Sequence, residues 1–382
     1  MTPYEVERVQ LTPRPTSLNS INGFIFLTDG QRLFFKTHTE SHTLIEEYYN
    51  AELLSHAGYP MIQPIYRSSQ VDKQMLIYEV VESPSVFDLA WEFELGQRTT
   101  QDPLWPVLST AQYAEDEALL QRYRQTLSAD FRAINAPIHQ LFHHRLVGGR
   151  MDTFYRNAVF LLPHGEYHFD ELLQTRWTIN SQRYDDTLSD IIERAKRLLD
   201  PQNIPPETII GHGDAHNGNV FLREGALVYF DPAFAGRHHP LLDLTKPLFH
   251  NVWAMWMYFP QEKASTLLDV HIEGDEWHVF YDDTLPNVRL VFLQGKLRLL
   301  EGTLRLLSER GCLPTNWRSF LKSALFCCPF LTMNLSDSAR FPPTISLLGL
   351  VHSVMMGAES YGQKSLLDDA LDAIEQRLQA QL

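Results

Sequence analysis

The chain has 382 residues, 44% hydrophobic and 21% charged, with a formal net charge of −15. That length allows two or three domain-sized units or one large two-lobed unit, with enough apolar residues to bury a sizeable core. The acidic balance argues against a nucleic-acid or anionic-membrane partner, since both attract basic surfaces, although a local lysine or helix N-terminus can still hold a phosphate group.

The three cysteines, Cys312, Cys327 and Cys328, are odd in number and clustered late, so they form no disulfide framework. The opening MTPYEVERVQLTPRP lacks the apolar segment of a signal peptide, and no run reaches the roughly 18 apolar residues of a membrane span. A cytoplasmic protein is expected. Nothing in the sequence speaks to its oligomeric state.

SLNSINGF reads as a loop of small and polar residues. FIFLTDGQRLFFK, residues 24–36, then carries a hairpin signal, with two β-rich runs flanking Asp29-Gly30. In TLIEEYYNAELLSHAGYP, residues Leu44, Ile45, Tyr48, Ala51 and Leu54 fall at helical spacing, and Gly58 and Pro60 end the run. MIQPIYRSS and KQMLIYEVVE read as strands. Residues 1–82 are therefore expected to form a small β-rich unit with one inserted helix.

After Pro84 the pattern changes. Residues 111–143 predict helix, with SADFRAINAPIHQLFHH continuing towards a break at Gly148-Gly149, whereas 165–182 has no clear period. TLSDIIERAKRLLD, residues 187–200, predicts an amphipathic helix with Leu188, Ile191, Ile192, Ala195 and Leu199 on one face. The short apolar run TIIGHG follows. Beyond residue 243 the chain reads as mostly helical, ending in a helix around 364–381. The expected fold class is α+β: a small β-rich N-terminal lobe and a large, mostly helical C-terminal lobe spanning 83–382.

The chemistry concentrates in GHGDAHNGN, residues 211–219, and the later VYFDPAF. Asp, Asn, His and Gly fill cores poorly, so such a turn points to something polar being held. In D-x-x-x-x-N, Asp214 presents a free carboxylate and Asn219 an amide oxygen, and Asp231 adds a second carboxylate on a following turn. A hard cation such as Mg²⁺ accepts such oxygens, usually only one or two from protein, with phosphate oxygens completing the shell. This is the layout of kinase-type phosphoryl transfer.

HGDAHNGNVFL followed by LVYFDPAFAG resembles the catalytic and metal-binding segments of the aminoglycoside phosphotransferase and choline kinase family. These are small-molecule kinases with a protein-kinase-like two-lobed fold. The resemblance extends over roughly residues 17–90 and 185–250. It implies Asp214 as catalytic base, Asn219 and Asp231 as Mg²⁺ ligands, and Lys36 as the residue holding the α- and β-phosphates of ATP or GTP. Glu47 would orient Lys36, with Glu46 and Glu52 as competing candidates. Loop 17–24, including Ser20 and Asn22, would cover the phosphates, and the MLIYEVVE strand and hinge, with Glu79 and Val81, would contact the base. His212 would brace the catalytic loop, and Asp243 in HHPLLDLTK would support it.

The sequence departs from the family pattern at the metal turn, which is D-P-A. Pro232 there removes a backbone donor and fixes φ, which disfavours a mobile turn. The implied activity is phosphate transfer to the hydroxyl of a small molecule such as an amino sugar, sugar or amino alcohol, and the net negative charge suits a cationic acceptor. The alternative is a kinase-like nucleotide-binding or regulatory protein with little turnover. His212 and His216, four apart, allow a zinc reading only on a helix, and Gly211, Gly213 and Gly218 argue for a loop. The aromatic run FHNVWAMWMYF reads first as core of the helical lobe and second as a substrate-pocket wall.

Overall fold

A computed structural model describes residues 5–12, 20–38, 43–68, 70, 75–266 and 268–380. The N-terminal part is a five-stranded sheet in the order β1-β2-β3-β5-β4, with β1 at Val6–Leu11, β2 at Ser20–Leu27, β3 at Arg32–His38, β4 at Tyr66–Ser68 and β5 at Met75–Glu79. The Asp29-Gly30 hairpin forms as expected, with Gly30 at φ 85°, a left-handed conformation that glycine adopts without a Cβ penalty. Ile25, Leu27, Leu33, Phe35 and Ile77 bury one face of the sheet. The inserted helix α1 spans Thr43–His56 and ends at Gly58, φ 86°.

Two features of this lobe differ from the sequence reading. Strand β1 was not anticipated; all six of its residues are exposed, so it carries no apolar alternation to read. SLNSINGF is also not wholly a loop. Ser20 pairs with His38 and Asn22 with Lys36, so residues 20–24 belong to β2, and Gly23 and Phe24 pair with β1 as well. Residues 13–19 lie outside the described residues.

The chain passes to the helical part through α2, Val86–Glu94, whose N-cap Ser85 accepts the Asp88 N–H. A second joint lies at Pro60–Ile62. There Tyr229 N–H donates to Pro60 O at 2.8 Å and Ile62 N–H to Tyr229 O at 2.9 Å, so a segment of the N-terminal lobe runs beside the strand Ala226–Tyr229.

Helix α3, Leu104–Thr126, runs through the second part and packs on the long helix Asn287–Glu309. The predicted helix over 111–143 stops at Thr126. Ser128–Ala129 instead pairs with Glu207 and Thr208, and two short 3-10 turns follow. Asp130 caps the first, and Pro137 drives Ala136 into an extended conformation, φ −62° and ψ 139°. Two further short helices, α4 at His143–Leu146 and α5 at Arg150–Tyr155, flank Gly148-Gly149.

The amphipathic helix forms over Leu188–Leu198 and the last helix over Leu366–Gln379. Helix Trp317–Leu331 is buried on nearly every side, consistent with its all-round apolar sequence, and packs against Pro343–Gly357 and Pro240–His250. The region beyond 243 is not purely helical. Leu268–Glu273 and Glu276–Tyr281 form a hairpin around Gly274, φ 65°, and Glu276–Tyr281 pairs in parallel with Arg176–Ile179 in a five-stranded sheet. Among the described residues, no helix is long and apolar enough to cross a membrane. The architecture is α+β, with a β-rich N-terminal part and a mainly helical remainder.

Candidate active site

Strand Glu207–Gly211 delivers the GHGDAHNGN loop to the junction of the two parts. The loop is held from below by Asp243, on the first turn of helix Pro240–His250. Its carboxylate accepts the Gly213 N–H at 2.6 Å, His238 Nε2 at 3.0 Å and the Tyr123 hydroxyl of α3. Burial opposes the charge on Asp243, but the hydrogen bond and charge of His238, with the other donors, hold its pKa below the usual carboxylate range.

The approach is so close that a Cβ on Gly211 would stand 2.5 Å from His238 Nε2 and 2.6 Å from Asp243 Oδ1. Gly213 is required for a second reason: its φ is 79°, and a Cβ there would meet Phe234 O at 2.4 Å. Both glycines of GHGD are therefore explained by what lies next to them.

His212 is fully buried, and its Nε2 lies 2.9 Å from Phe230 O. It ties the loop to the backbone immediately before Asp231. The Asn219 side-chain amide donates to Asp214 O at 3.0 Å, and Phe230 N–H donates to Asn219 O at 2.9 Å. His216 caps the turn by accepting the Gly218 N–H at 3.1 Å. The loop is thus cross-braced by backbone and short polar side chains, and it is not helical at His212–His216 as a zinc pair would require.

Asp231 has φ 56°, in the left-handed region, immediately before Pro232. Such strain at a non-glycine residue persists only where the surroundings enforce it. Here Pro232 O receives both the Ala235 N–H at 3.1 Å and the Asn50 side-chain amide at 3.2 Å. The Asp231 carboxylate accepts a charged hydrogen bond from Lys36, a buried residue of β3. The structure therefore brings together Lys36, Asp231, Asn219 and Asp214 from two lobes.

The donor set fits a hard cation. With its amide nitrogen committed to Asp214 O, Asn219 Oδ1 has no hydrogen-bond partner among the described residues, and Asp231 adds a carboxylate on the turn that follows the strand Ala226–Tyr229. Among the described residues, no three His, Cys, Asp or Glu side chains converge on a metal position, so a cation held by Asn219 and Asp231 would need further ligands from outside the protein.

The side chains of Ser20, Glu46 and Glu47 lie outside the described residues. Asn22 Oδ1 accepts from the Thr12 hydroxyl at 3.2 Å within the sheet. Glu79 ends β5 with its side chain exposed, and Val81 is half-buried just beyond it. An aromatic floor was not foreseen: Tyr78 packs on Phe230 with ring centres 4.9 Å apart, and Phe34 and Phe221 also face Phe230.

Sequence reasoning also missed Lys246, one helical turn after Asp243. Its side chain is 4% exposed, and Nζ lies 3.5 Å from Asp214 Oδ1, a buried oxygen with no hydrogen-bond partner. Burial works against ionisation of Asp214, but Lys246, then His216, His212 and Arg145, outweigh it and hold the carboxyl below its ordinary range. Burial likewise lowers the pKa of Lys246 and of His216, and Asp214 opposes both shifts. The signal for Lys246 was the i, i+3 spacing from Asp243, which puts both on the helix face turned to the loop. Asn251, at the end of that helix, accepts the Asn217 N–H at 2.8 Å.

Chemically, the site offers a carboxylate kept ionised by adjacent cations, an amide oxygen and second carboxylate for a cation, and a buried lysine. The sequence model of the phosphotransferase enzyme family matches residues 99–289, half of the chain. Comparison with curated proteins finds no match. Similar solved structures include an amicoumacin kinase in complex with AMP-PNP, Ca²⁺ and Ami, at 14% identity, covering 98% of this chain and 88% of that one, with a TM-score of 0.44. They also include the aminoglycoside phosphotransferase APH(4)-Ia, at 11% identity, coverage of 93% and 95%, and a TM-score of 0.48. A third is a macrolide 2'-phosphotransferase from Brachybacterium faecium, at 13% identity, coverage of 85% and 94%, and a TM-score of 0.36. At these values none of the three bears on what this chain acts on. The family match falls on the segment that carries Asp214, Asn219, Asp231 and Asp243, and the chain belongs to the phosphotransferase enzyme family.

Proposed function

We propose that the protein transfers the γ-phosphate of ATP or GTP to the hydroxyl of a small molecule. Residues 1–82 would hold the nucleotide, and 83–382 would carry the catalytic loop and the acceptor site. The observation that supports this most is the meeting of two acid–cation pairs from distant parts of the chain, Lys36 with Asp231 and Lys246 with Asp214.

Each residue has a separate task in this reading. Lys36, released from Asp231 by the incoming nucleotide, holds its α- and β-phosphates. Asn219 and Asp231 hold Mg²⁺, which when bound neutralises charge on the phosphates. Asp214 positions the acceptor hydroxyl and takes its proton; the loose transition state of phosphoryl transfer leaves most of the catalytic work to positioning and charge. Asp243 and His212 fix the loop and touch no substrate. In the lobe above, Glu47 would orient Lys36, Ser20 and Asn22 lie near the phosphates, and Glu79 and Val81 lie near the base.

The test is a phosphotransfer screen with ATP and GTP over sugars, amino alcohols, nucleosides and aminoglycosides, run beside Asp214→Asn. The variant keeps volume but cannot accept the proton, so kcat should fall by about 10²–10⁴-fold. Nucleotide affinity by calorimetry should change by less than about tenfold, within roughly 1.4 kcal/mol. Nucleotide binding without transfer to any acceptor would favour a nucleotide-binding regulatory protein instead.

A further inference from the structure

Helix α3 carries Glu115 and Arg122 two helical turns apart on one face. The Glu115 carboxylate accepts the Tyr229 hydroxyl at 2.8 Å and Arg122 Nη1 at 2.5 Å. The same guanidinium donates from Nε to Gly58 O at 2.9 Å, just past the end of α1, and lies 4.8 Å from the centre of the Tyr59 ring. Tyr59 closes the circle. Its ring packs edge-on against Tyr229 with centres 5.7 Å apart, and its hydroxyl donates to Ile210 O at 2.9 Å. Both tyrosines are buried.

This cluster joins segments that are far apart in the chain. Gly58 and Tyr59 follow α1, Glu115 and Arg122 lie on α3, and Tyr229 stands two residues before Asp231. The cluster is continuous with the backbone joint at Pro60–Ile62, where Tyr229 N–H donates to Pro60 O and Ile62 N–H to Tyr229 O. It also meets the Asp214 loop. Ile210 is on the strand that leads into that loop, and Tyr123, next to Arg122, donates to Asp243.

Stability alone is a poor reason for such a cluster. Desolvating a carboxylate and a guanidinium offsets much of their attraction, and apolar residues of the same volume often serve a core as well. What the polar groups supply is direction: a guanidinium fork and a phenol hydroxyl donate along fixed lines, so they set where Gly58 O and Tyr229 stand relative to α3. That direction reaches the site by short paths. From α1, Asn50 donates to Pro232 O, on the residue after Asp231, at 3.2 Å. From Tyr229 the chain runs through Phe230, whose N–H is held by Asn219 O and whose carbonyl lies against His212, to Asp231 at φ 56°. An aspartate in the left-handed region needs surroundings that enforce it, and the cluster anchors the segments on both sides of the turn.

We propose that Glu115, Arg122 and Tyr229 are positioning residues: they clamp α1 and the Asp231 turn to α3, and so fix Asp231, with Lys36 paired to it, before any nucleotide binds. The proposal rests on the phosphotransferase reading and adds to it the parts that hold its metal and phosphate residues in place.

The experiment combines two measurements on the full chain: amide hydrogen exchange by mass spectrometry without ligand, and Mg²⁺ affinity in the presence of ADP by calorimetry. Tyr229→Phe removes one hydroxyl and keeps the ring. Arg122→Lys keeps the charge and loses the fork. Arg318→Gln, which breaks contacts with Glu359 and Asp372 and touches none of the cluster, controls for lost stability alone. In the two cluster variants, exchange in segments 60–62 and 229–235 should quicken about tenfold or more, as for loss of a hydrogen bond to a charged group, while helix Trp317–Leu331 keeps its protection. Mg²⁺ affinity should fall about tenfold, the low end of the loss when groups that support metal ligands are removed.

Exchange in these segments no faster than in Arg318→Gln overturns the proposal, because the cluster is then packing alone. So does faster exchange with Mg²⁺ affinity unchanged, because the clamp then does not reach Asp231. Wild type that binds neither ADP nor Mg²⁺ would refute the phosphotransferase reading, and faster exchange in the variants of such a protein would leave the clamp standing.

Discussion

Lys246→Met tests whether the ionisation of Asp214 is set by its neighbour. The two charges are 3.5 Å apart, with side-chain exposures of only 4% and 16%. At that distance and an effective dielectric of about 20, their attraction is about 5 kcal/mol. Desolvating both groups offsets much of it, so the expected rise in the Asp214 pKa on losing the cation is about 1–3 pH units. In the wild type that pKa lies below 3.8, so the carboxylate's contribution to stability is present above 3.8 and is lost as pH falls through the lower folded value.

In Lys246→Met the same window moves upwards. The assay is kcat/KM for the acceptor against pH, which reports groups in the free enzyme, with thermal unfolding at each pH to confirm folding. The variant's acid limb should move to higher pH than in the wild type, and Lys246→Arg should keep it low. An acid limb at the same pH in wild type and Lys246→Met would refute the reasoning, because Asp214 would then not be the titrating group or Lys246 not its partner.

Asp231→Asn should abolish Mg²⁺-dependent turnover while the melting temperature stays near wild type; near-normal turnover with Mg²⁺ would remove Asp231 from the metal site. Lys36→Ala should lower kcat/KM for nucleotide by weakening charge stabilisation on the phosphates, and unchanged kinetics would count against that role. Gly211→Ala places a Cβ 2.5 Å from His238 Nε2 and 2.6 Å from Asp243 Oδ1. It should lower stability by about 1–3 kcal/mol by overpacking and impair turnover through the displaced loop, measured by denaturant unfolding beside kcat.

Residue types and the family resemblance singled out the candidate site residues from the sequence. Asp214 and Asn219 stand in a glycine-rich turn where core packing has no use for them, Asp231 in the D-P-A turn that follows, and Lys36 on the second strand of the Asp29-Gly30 hairpin. Local signals also located α1 and the amphipathic helix Leu188–Leu198, because their apolar spacing and caps lie within a few residues of one another. Strand β1 was hidden because an exposed edge strand has no buried face to alternate. Helix α3 was overextended because Ser128–Ala129 takes its partners from Glu207 and Thr208, far along the chain.

Only the tertiary structure decided what surrounds the Asp214 carboxylate. Asp243 reads as one acid among many until α3 brings Tyr123 to it and the loop brings Gly213. Lys246 lies 32 residues after Asp214 in the sequence yet stands 3.5 Å from its carboxylate. No local pattern encodes their convergence, because charge acts through space and the electrostatic field at a site depends on which distant segments the core packs beside it.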